Sequence, residues 1–229
     1  MTTSGTTLFN PSLGEFTIAA FRRCGVHREQ LTSQHMADAR FEANLVMADW
    51  TADGINLWQV DNATVPLIEG TANYDMPDDT VFLLDLFIRT GSGTSQTDRI
   101  IYPISRSDYV ALASKNTQGS PTSWWFDRKI DSSLYIWPVP DQSDTYTLHY
   151  YRMRQAYDSE LTNGTTLDVP WYYLDAFTWA LAKRLALIYA PERFGQIAQE
   201  AASSWARSLS VGTENVPLSI QPAMRGYFR

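Results

Sequence analysis

The side chains best suited to chemistry in this chain are a few clustered acids, a tryptophan run and one arginine at the end of a strand. Asp75, Asp78 and Asp79 lie near Pro77, and Asp141 and Asp144 follow Pro140. Two carboxylates about 5–10 Å apart across a cleft would suit a glycosidase. Near proline, however, Asp typically accepts hydrogen bonds from its own turn, and turn chemistry is the reading we take. Trp124-Trp125-Phe126 would offer a stacking platform for sugars or bases only if the rings shared one surface. In a strand, neighbours point to opposite faces. That predicts one of Trp124 and Trp125 in the core and the other exposed or at an interface. Arg106, within Ser105-Arg106-Ser107-Asp108-Tyr109, carries five donors in a rigid fork. It can clamp Asp108 or Asp127 within the chain, or bind a carboxylate outside it.

Other chemistry has no visible carrier. The sequence holds no Gly-x-Ser-x-Gly, no Gly-rich phosphate loop and no His-Glu-x-x-His. Cys24 is the single cysteine, so neither an intrachain disulfide nor a cysteine metal cluster is expected. His27, His35 and His149 lack metal-ligand spacing. We therefore expect no enzyme, no cofactor and no metal. A net charge of -7 with no long Lys/Arg run argues against gripping of nucleic acid, which needs clustered cations. The most apolar stretch, 171–190, is interrupted by Asp175 and by Lys183-Arg184, which argues against a membrane span. Residues 1–10 lack the basic and apolar regions of a signal peptide, so synthesis in a reducing cytoplasm is expected.

These residues need elements to hold them. Ser12 and Gly25 bracket one helix. A second follows Thr32-Ser33, with an apolar stripe of Met36, Ala39, Ala43, Val46, Met47 and Trp50. From residue 55 the pattern becomes short runs between turn residues. Strands are predicted over 57–60, 65–68, 81–89, 100–104, 123–128, 134–137 and 146–153, with a short helix over 107–113 capped by Ser105 or Ser107. Such spacing suggests an antiparallel sandwich or barrel. A third helix opens at Asp168-Val169-Pro170 and runs to Ala190. Pro191 starts a fourth, with a stripe of Phe194, Ile197, Ala201, Trp205 and Leu209. Pro217, Pro222 and Gly226 oppose a further helix, leaving an extended tail. The expected fold is therefore α+β. A helical body is formed by residues 1–56 and 156–210, because each helical pair needs the other to cover its stripe. A β module at 57–155 is inserted between them, and a tail occupies 211–229.

That tail carries Leu218, Ile220, Met224, Tyr227 and Phe228, which are costly to leave in water, together with Arg225 and Arg229. Extended segments of this kind bind by backbone pairing and by side chains placed in pockets, so it reads as a docking tail.

Tyr74-Asp75-Met76-Pro77, Pro103-Ile104-Ser105-Arg106-Ser107-Asp108-Tyr109, Gly119-Ser120-Pro121, Trp124-Trp125-Phe126-Asp127 and Leu134-Tyr135-Ile136-Trp137-Pro138-Val139-Pro140 form a block. It resembles the central β region of the head-to-tail adaptors of short-tailed bacteriophages, also called tail accessory factors or tail tubular proteins. The order helices, strands, helices, tail resembles the same family. The resemblance implies a virion structural protein at the head-tail junction, forming a twelve-subunit ring. Such a ring binds the portal protein above and the tail nozzle or fibres below, and genomic DNA passes through it without specific binding. The residues themselves add that the apolar tail is expected to grip the portal or a neighbouring subunit, and that Arg106, Asp108, Trp124 and Trp125 are expected at an intrachain clamp or an inter-subunit contact. Two alternatives stay open. The tryptophans and acids also fit a carbohydrate-binding or glycan-hydrolysing module, and another ring of the neck, such as a head-completion stopper, would share the same features.

Overall fold

In the computed structural model, which describes residues 4–7, 9–54, 56–143, 145–160 and 166–212, the helix boundaries follow local capping chemistry. Helix α1 (Leu13–Cys24) begins where the Glu15 carboxylate accepts the Ser12 amide at 2.9 Å. It stops at Gly25, whose φ of 87° is cheap only without a Cβ. Helix α2 (Ser33–Ala52) is capped by Thr32, whose hydroxyl accepts the His35 amide at 3.4 Å. Its expected stripe holds: Ala39, Ala43, Val46, Met47 and Trp50 are buried and Met36 is half-buried. Helix α3 (Arg106–Ala111) is capped by Ser105. Helix α4 (Leu174–Tyr189) is entered through a 3-10 turn at Trp171–Tyr173 rather than from Asp168. A similar turn at Pro191–Arg193 leads into helix α5 (Phe194–Gly212).

The packed face of α5 departs from the expected stripe towards its end. Ile197 and Ala201 are buried and Trp205 is half-buried, but Leu209 is exposed while Ser204 and Ser208 lie inside. The Ser204 hydroxyl donates to Asp175 at 2.8 Å, and that of Ser208 donates to the Tyr172 carbonyl at 2.8 Å. Small side chains with their polar groups satisfied take the place that a leucine was expected to fill.

One apolar core draws on both ends of the described chain. Helix α4 packs against α1, α2 and α5. Phe16 meets Phe177 edge-on at 5.9 Å, and Trp50 stacks on Trp205 at 4.7 Å. Phe21, Phe177, Leu181 and Leu185 are fully buried, each contributing roughly 1.5–3 kcal/mol through burial.

The second core lies under seven strands: β1 (Val60–Pro66), β2 (Asn73–Asp75), β3 (Thr80–Thr90), β4 (Thr97–Pro103), β5 (Ser123–Asp127), β6 (Ser133–Trp137) and β7 (Tyr146–Arg154). They form one curled sheet in the order β1-β7-β3-β4-β5-β6-β2. Neighbours are antiparallel except β4 and β5, which run parallel over Tyr102↔Ser123 and Pro103↔Trp124. An antiparallel sandwich or barrel was expected. The parallel joint arises because the chain between β4 and β5 crosses over through α3 instead of turning back as a hairpin.

The expected strand over 57–60 is a 3-10 turn at Leu57–Gln59. Gln59 is fully buried, accepts from the Asn56 amide at 2.9 Å and donates to the Thr51 hydroxyl at 3.0 Å. Those bonds tie it to the end of α2 instead of to a ladder. Strand β2 is one that periodicity alone did not reveal. Leu86, Ile88, Ile101, Leu134, Ile136 and Leu148 fill the space beneath the sheet.

Candidate docking surfaces

Helix α3 sits on the sheet as a small raised element, and local chemistry explains why it forms. The Ser105 hydroxyl accepts the Asp108 amide at 3.0 Å, while the Asp108 carboxylate accepts the Ser105 hydroxyl at 2.6 Å and its amide at 3.2 Å. These bonds from Ser105 hold the Asp108 carboxyl below its usual range. Tyr109 then points down into the sheet. It stacks on Trp125 at 5.3 Å, and Trp125 stacks on Tyr135 at 4.9 Å, the residue directly opposite it on β6. Burial raises the Tyr109 pKa, and Tyr135 adds to the effect.

Trp124 and Trp125 part as strand alternation requires. Trp124 is 6% exposed, its indole donating to the Ile101 carbonyl at 3.2 Å, whereas Trp125 is half-buried on the other face. Tyr109, Trp125 and Tyr135 do gather three rings together, but the rings turn towards one another. Stacking there anchors α3. Tyr109 and Tyr135 were not singled out from sequence, since their meeting depends on the β5–β6 register and on the crossover.

Arg106 lies exposed at the start of α3, and among the described residues it makes no hydrogen bond or ion pair. Both expected acceptors are taken: Asp108 by Ser105, and Asp127 by the Lys129 ammonium. The intrachain clamp does not form. One turn on, Val110 is also exposed, so α3 presents a free guanidinium beside an apolar side chain.

A second polar constellation was not foreseen. Arg152 and Arg154, at the end of β7, bind three aspartates where the sheet meets the helices. Arg154 pairs with both oxygens of Asp168, at 2.6 and 3.0 Å, and reaches Asp61 at 3.4 Å; Arg152 pairs with Asp79 and lies 3.8 Å from Asp61. Asp168 also accepts the Tyr157 amide at 3.0 Å. The hydrogen bonds that Arg154 donates to Asp168 raise the Arg154 pKa against the opposing effect of burial. Asp168, read from sequence as a helix opener, ties the strand end to the α4 approach instead.

Of the acids in turns, Asp79 serves Arg152 and Asp141 accepts the Tyr146 hydroxyl at 2.9 Å. Asp75 and Asp78 are exposed, and Asp144 lies outside the described residues. One member of each adjacent basic pair, Arg22-Arg23 and Lys183-Arg184, is engaged by acids. Arg23 donates to Asp175 at 3.0 Å and lies 4.0 Å over the Trp179 ring, while Arg184 reaches Asp49 at 2.9 Å and Glu42 at 3.4 Å. Among the described residues, no group of three or more His, Cys, Asp and Glu side chains is placed to hold a metal, and no helix is long and apolar enough to cross a membrane.

The outer face of the first half of the sheet carries a row in register across four strands: Thr64, His149, Phe87 and Ile100. His149 stacks on Phe87 at 4.8 Å; Ile100 and Tyr102, further along β4, are exposed. The tail residues Leu218, Ile220, Met224, Arg225, Tyr227, Phe228 and Arg229 lie outside the described residues.

Residues 28–218, from just before α2 through the whole sheet and α5, match the family model described as SU10 adaptor protein. No curated protein matches the chain.

Proposed function

The chain belongs to the SU10 adaptor protein family, structural adaptors of phage virions that contact other capsid and tail proteins, and from that premise we propose that it is the head-to-tail adaptor of a short-tailed phage. In this reading twelve copies close into a ring beneath the portal protein, bind the tail nozzle or fibres below, and line the channel through which the genome leaves. No bond is made or broken; the work is differential binding to two other rings, and ring closure requires heterologous contacts. Residues 1–56 and 156–210 supply the ring body, 57–155 projects towards tail components, and the tail from 211 onwards grips the portal or a neighbouring copy.

The single observation that carries the reading is the family match, which spans the sheet and three of the long helices. The surface chemistry supports it. Arg106 is presented on a capped, ring-anchored helix with its acceptors already occupied, as a contact between subunits needs. In this assignment Asp108 and Trp125 hold the helix in place, and Trp124 holds the strand beneath it.

Light scattering of the purified chain, alone and mixed with the portal protein, tests the proposal. Twelve copies per portal ring are expected, and the variant Arg106→Glu should lower that occupancy without changing the melting temperature. Truncation before residue 216 should leave the circular dichroism unchanged and weaken portal binding. A chain that stays monomeric and ignores the portal would overturn the adaptor reading. Binding only to a different neck ring would reassign it as a stopper.

A further inference from the structure

Helices α2 and α5 both pack on α4, and the Trp50 and Trp205 rings stack across the space between them. Beside that stack a groove of about 450 Å³ stays open. Its apolar lining is incompletely covered: Leu187 on α4 is 61% exposed, and Ala198 and Ala202 on α5 are too small to close the space. Phe41 and Leu45 continue the Asp49 face of α2 at four-residue steps, and both are exposed.

The α2 rim of this groove is acidic. Asp49 and Asp53 lie one turn apart at the C-terminal end of a 20-residue helix that has no base in its last turn. Carboxylates there face the negative end of the helix dipole, which favours a cation instead. Arg184 is already shared by Asp49 and Glu42, and among the described residues the Asp53 carboxylate makes no hydrogen bond or ion pair. Lys183 is the other base of the groove, so Glu42, Asp49 and Asp53 outnumber Lys183 and Arg184.

Helix α3 has the complementary surface. Arg106 and Val110 share one face of it, four residues apart, and both are exposed. Lys115 donates to the Val110 and Leu112 carbonyls at 3.2 and 3.3 Å, so a cation stands on either side of Val110, while Asp108 is held by Ser105. The six residues of α3 rise about 9 Å, within the about 12 Å that separates Leu45 from Asp53 along α2.

We propose that α3 of one copy docks in the α2–α4–α5 groove of the next, with Arg106 on Asp53 and Val110 over Ala202. This contact rests on the adaptor reading, to which it adds the two surfaces that meet. Arg106 supplies the cation that the end of α2 lacks, and Val110 covers apolar lining left open to water. The two surfaces differ and belong to one chain, so the contact is heterologous and passes from copy to copy until a ring closes.

Two measurements on the full chain with the portal protein test it. Asp53→Arg suits the end of α2 and should keep or raise the melting temperature. It nevertheless puts like charges together in the contact and should lower the number of copies held per portal ring. Arg106→Glu should lower occupancy likewise, and the two changes combined in one chain should restore it. With Val110→Cys and Ala202→Cys in one chain, oxidation on the portal should give a ladder of dimers, trimers and larger species; native Cys24 is 3% exposed and stays silent. Dimers alone would mean a two-fold contact, and internally closed monomers a contact within the chain; either would overturn the docking. Wild-type rings on the portal with neither ladder nor rescue would overturn the docking and leave the adaptor reading intact. Absence of wild-type rings would overturn both.

Discussion

Replacing Arg154 by methionine tests whether the joint between sheet and helices is held by charge. Arg154 is buried, 8% exposed, and its guanidinium makes two bonds to Asp168 and a third to the Gln155 carbonyl at 3.0 Å, with Asp61 at 3.4 Å and the Tyr157 ring at 4.2 Å. Methionine keeps much of the apolar stem but leaves Asp168 and Asp61 without their shared cation. Removing one member of a buried pair costs ~3–5 kcal/mol. Here the Asp168 and Asp61 side chains keep 23% and 44% of their exposure, and Arg152 still lies 3.8 Å from Asp61. Solvent and Arg152 therefore screen part of the loss, and the expected cost is ~2–3 kcal/mol. For a chain of this size that lowers Tm by about 4–12 °C. The assay is urea unfolding followed by tryptophan fluorescence and far-ultraviolet circular dichroism, on Arg154→Met, Asp168→Asn and the double variant. Because the pair is coupled, the double variant should lose less than the sum of the singles, by ~0.5–3 kcal/mol. A loss below about 1 kcal/mol for Arg154→Met, or strict additivity, would refute the reasoning.

Trp205→Ala should cost ~2–4 kcal/mol, somewhat below the ~3–5 kcal/mol usual for a fully buried large aromatic because Trp205 is only half-buried against Trp50 and Tyr173; a loss under about 1 kcal/mol would mean that the stack is ornamental to α5 docking. Cys24 should not react with a thiol reagent at pH 8 until the protein unfolds, since burial pushes its pKa up to about 11; rapid native-state labelling would contradict that burial. Burial, with Arg89 adding to it, lowers the pKa of His149 below 6.5. The unfolded chain therefore takes up this proton first, and the His149 contribution, fully present above pH 6.5, is lost as pH falls through the depressed folded value. Denaturation midpoints between pH 7.5 and 5 should show a slope that His149→Gln flattens, and an unchanged slope would remove His149 as its source.

Much of the local structure was legible because its causes lie within a few residues. Ser12, Glu15 and Gly25 define α1 by capping, the α2 stripe follows from a 3.6-residue period, and strand alternation separates Trp124 from Trp125 without reference to any other strand. The end of α5 was not legible: Ser204 and Ser208 replace Leu209 inside only because Asp175 and the Tyr172 carbonyl wait on another element. The same holds for Gln59, drawn from an expected strand into a turn by Asn56 and Thr51. Of the candidate surface, the Ser105–Asp108 cap is local. That Arg106 is left free, that Tyr109, Trp125 and Tyr135 meet, and that Arg154 serves Asp168 all depend on which strands become neighbours.

By itself the sequence determined where α1 and α2 start and stop, which faces of the central strands are apolar, and the lack of familiar catalytic motifs, because capping, periodicity and composition act over one or two turns of chain. Only the tertiary structure decided the order β1-β7-β3-β4-β5-β6-β2, the parallel joint of β4 with β5, and the arginine-aspartate junction. Those contacts bring together residues far apart in the chain, and their pairing is chosen by competition among many acceptors and edges of similar local appearance, which the burial of the whole core resolves.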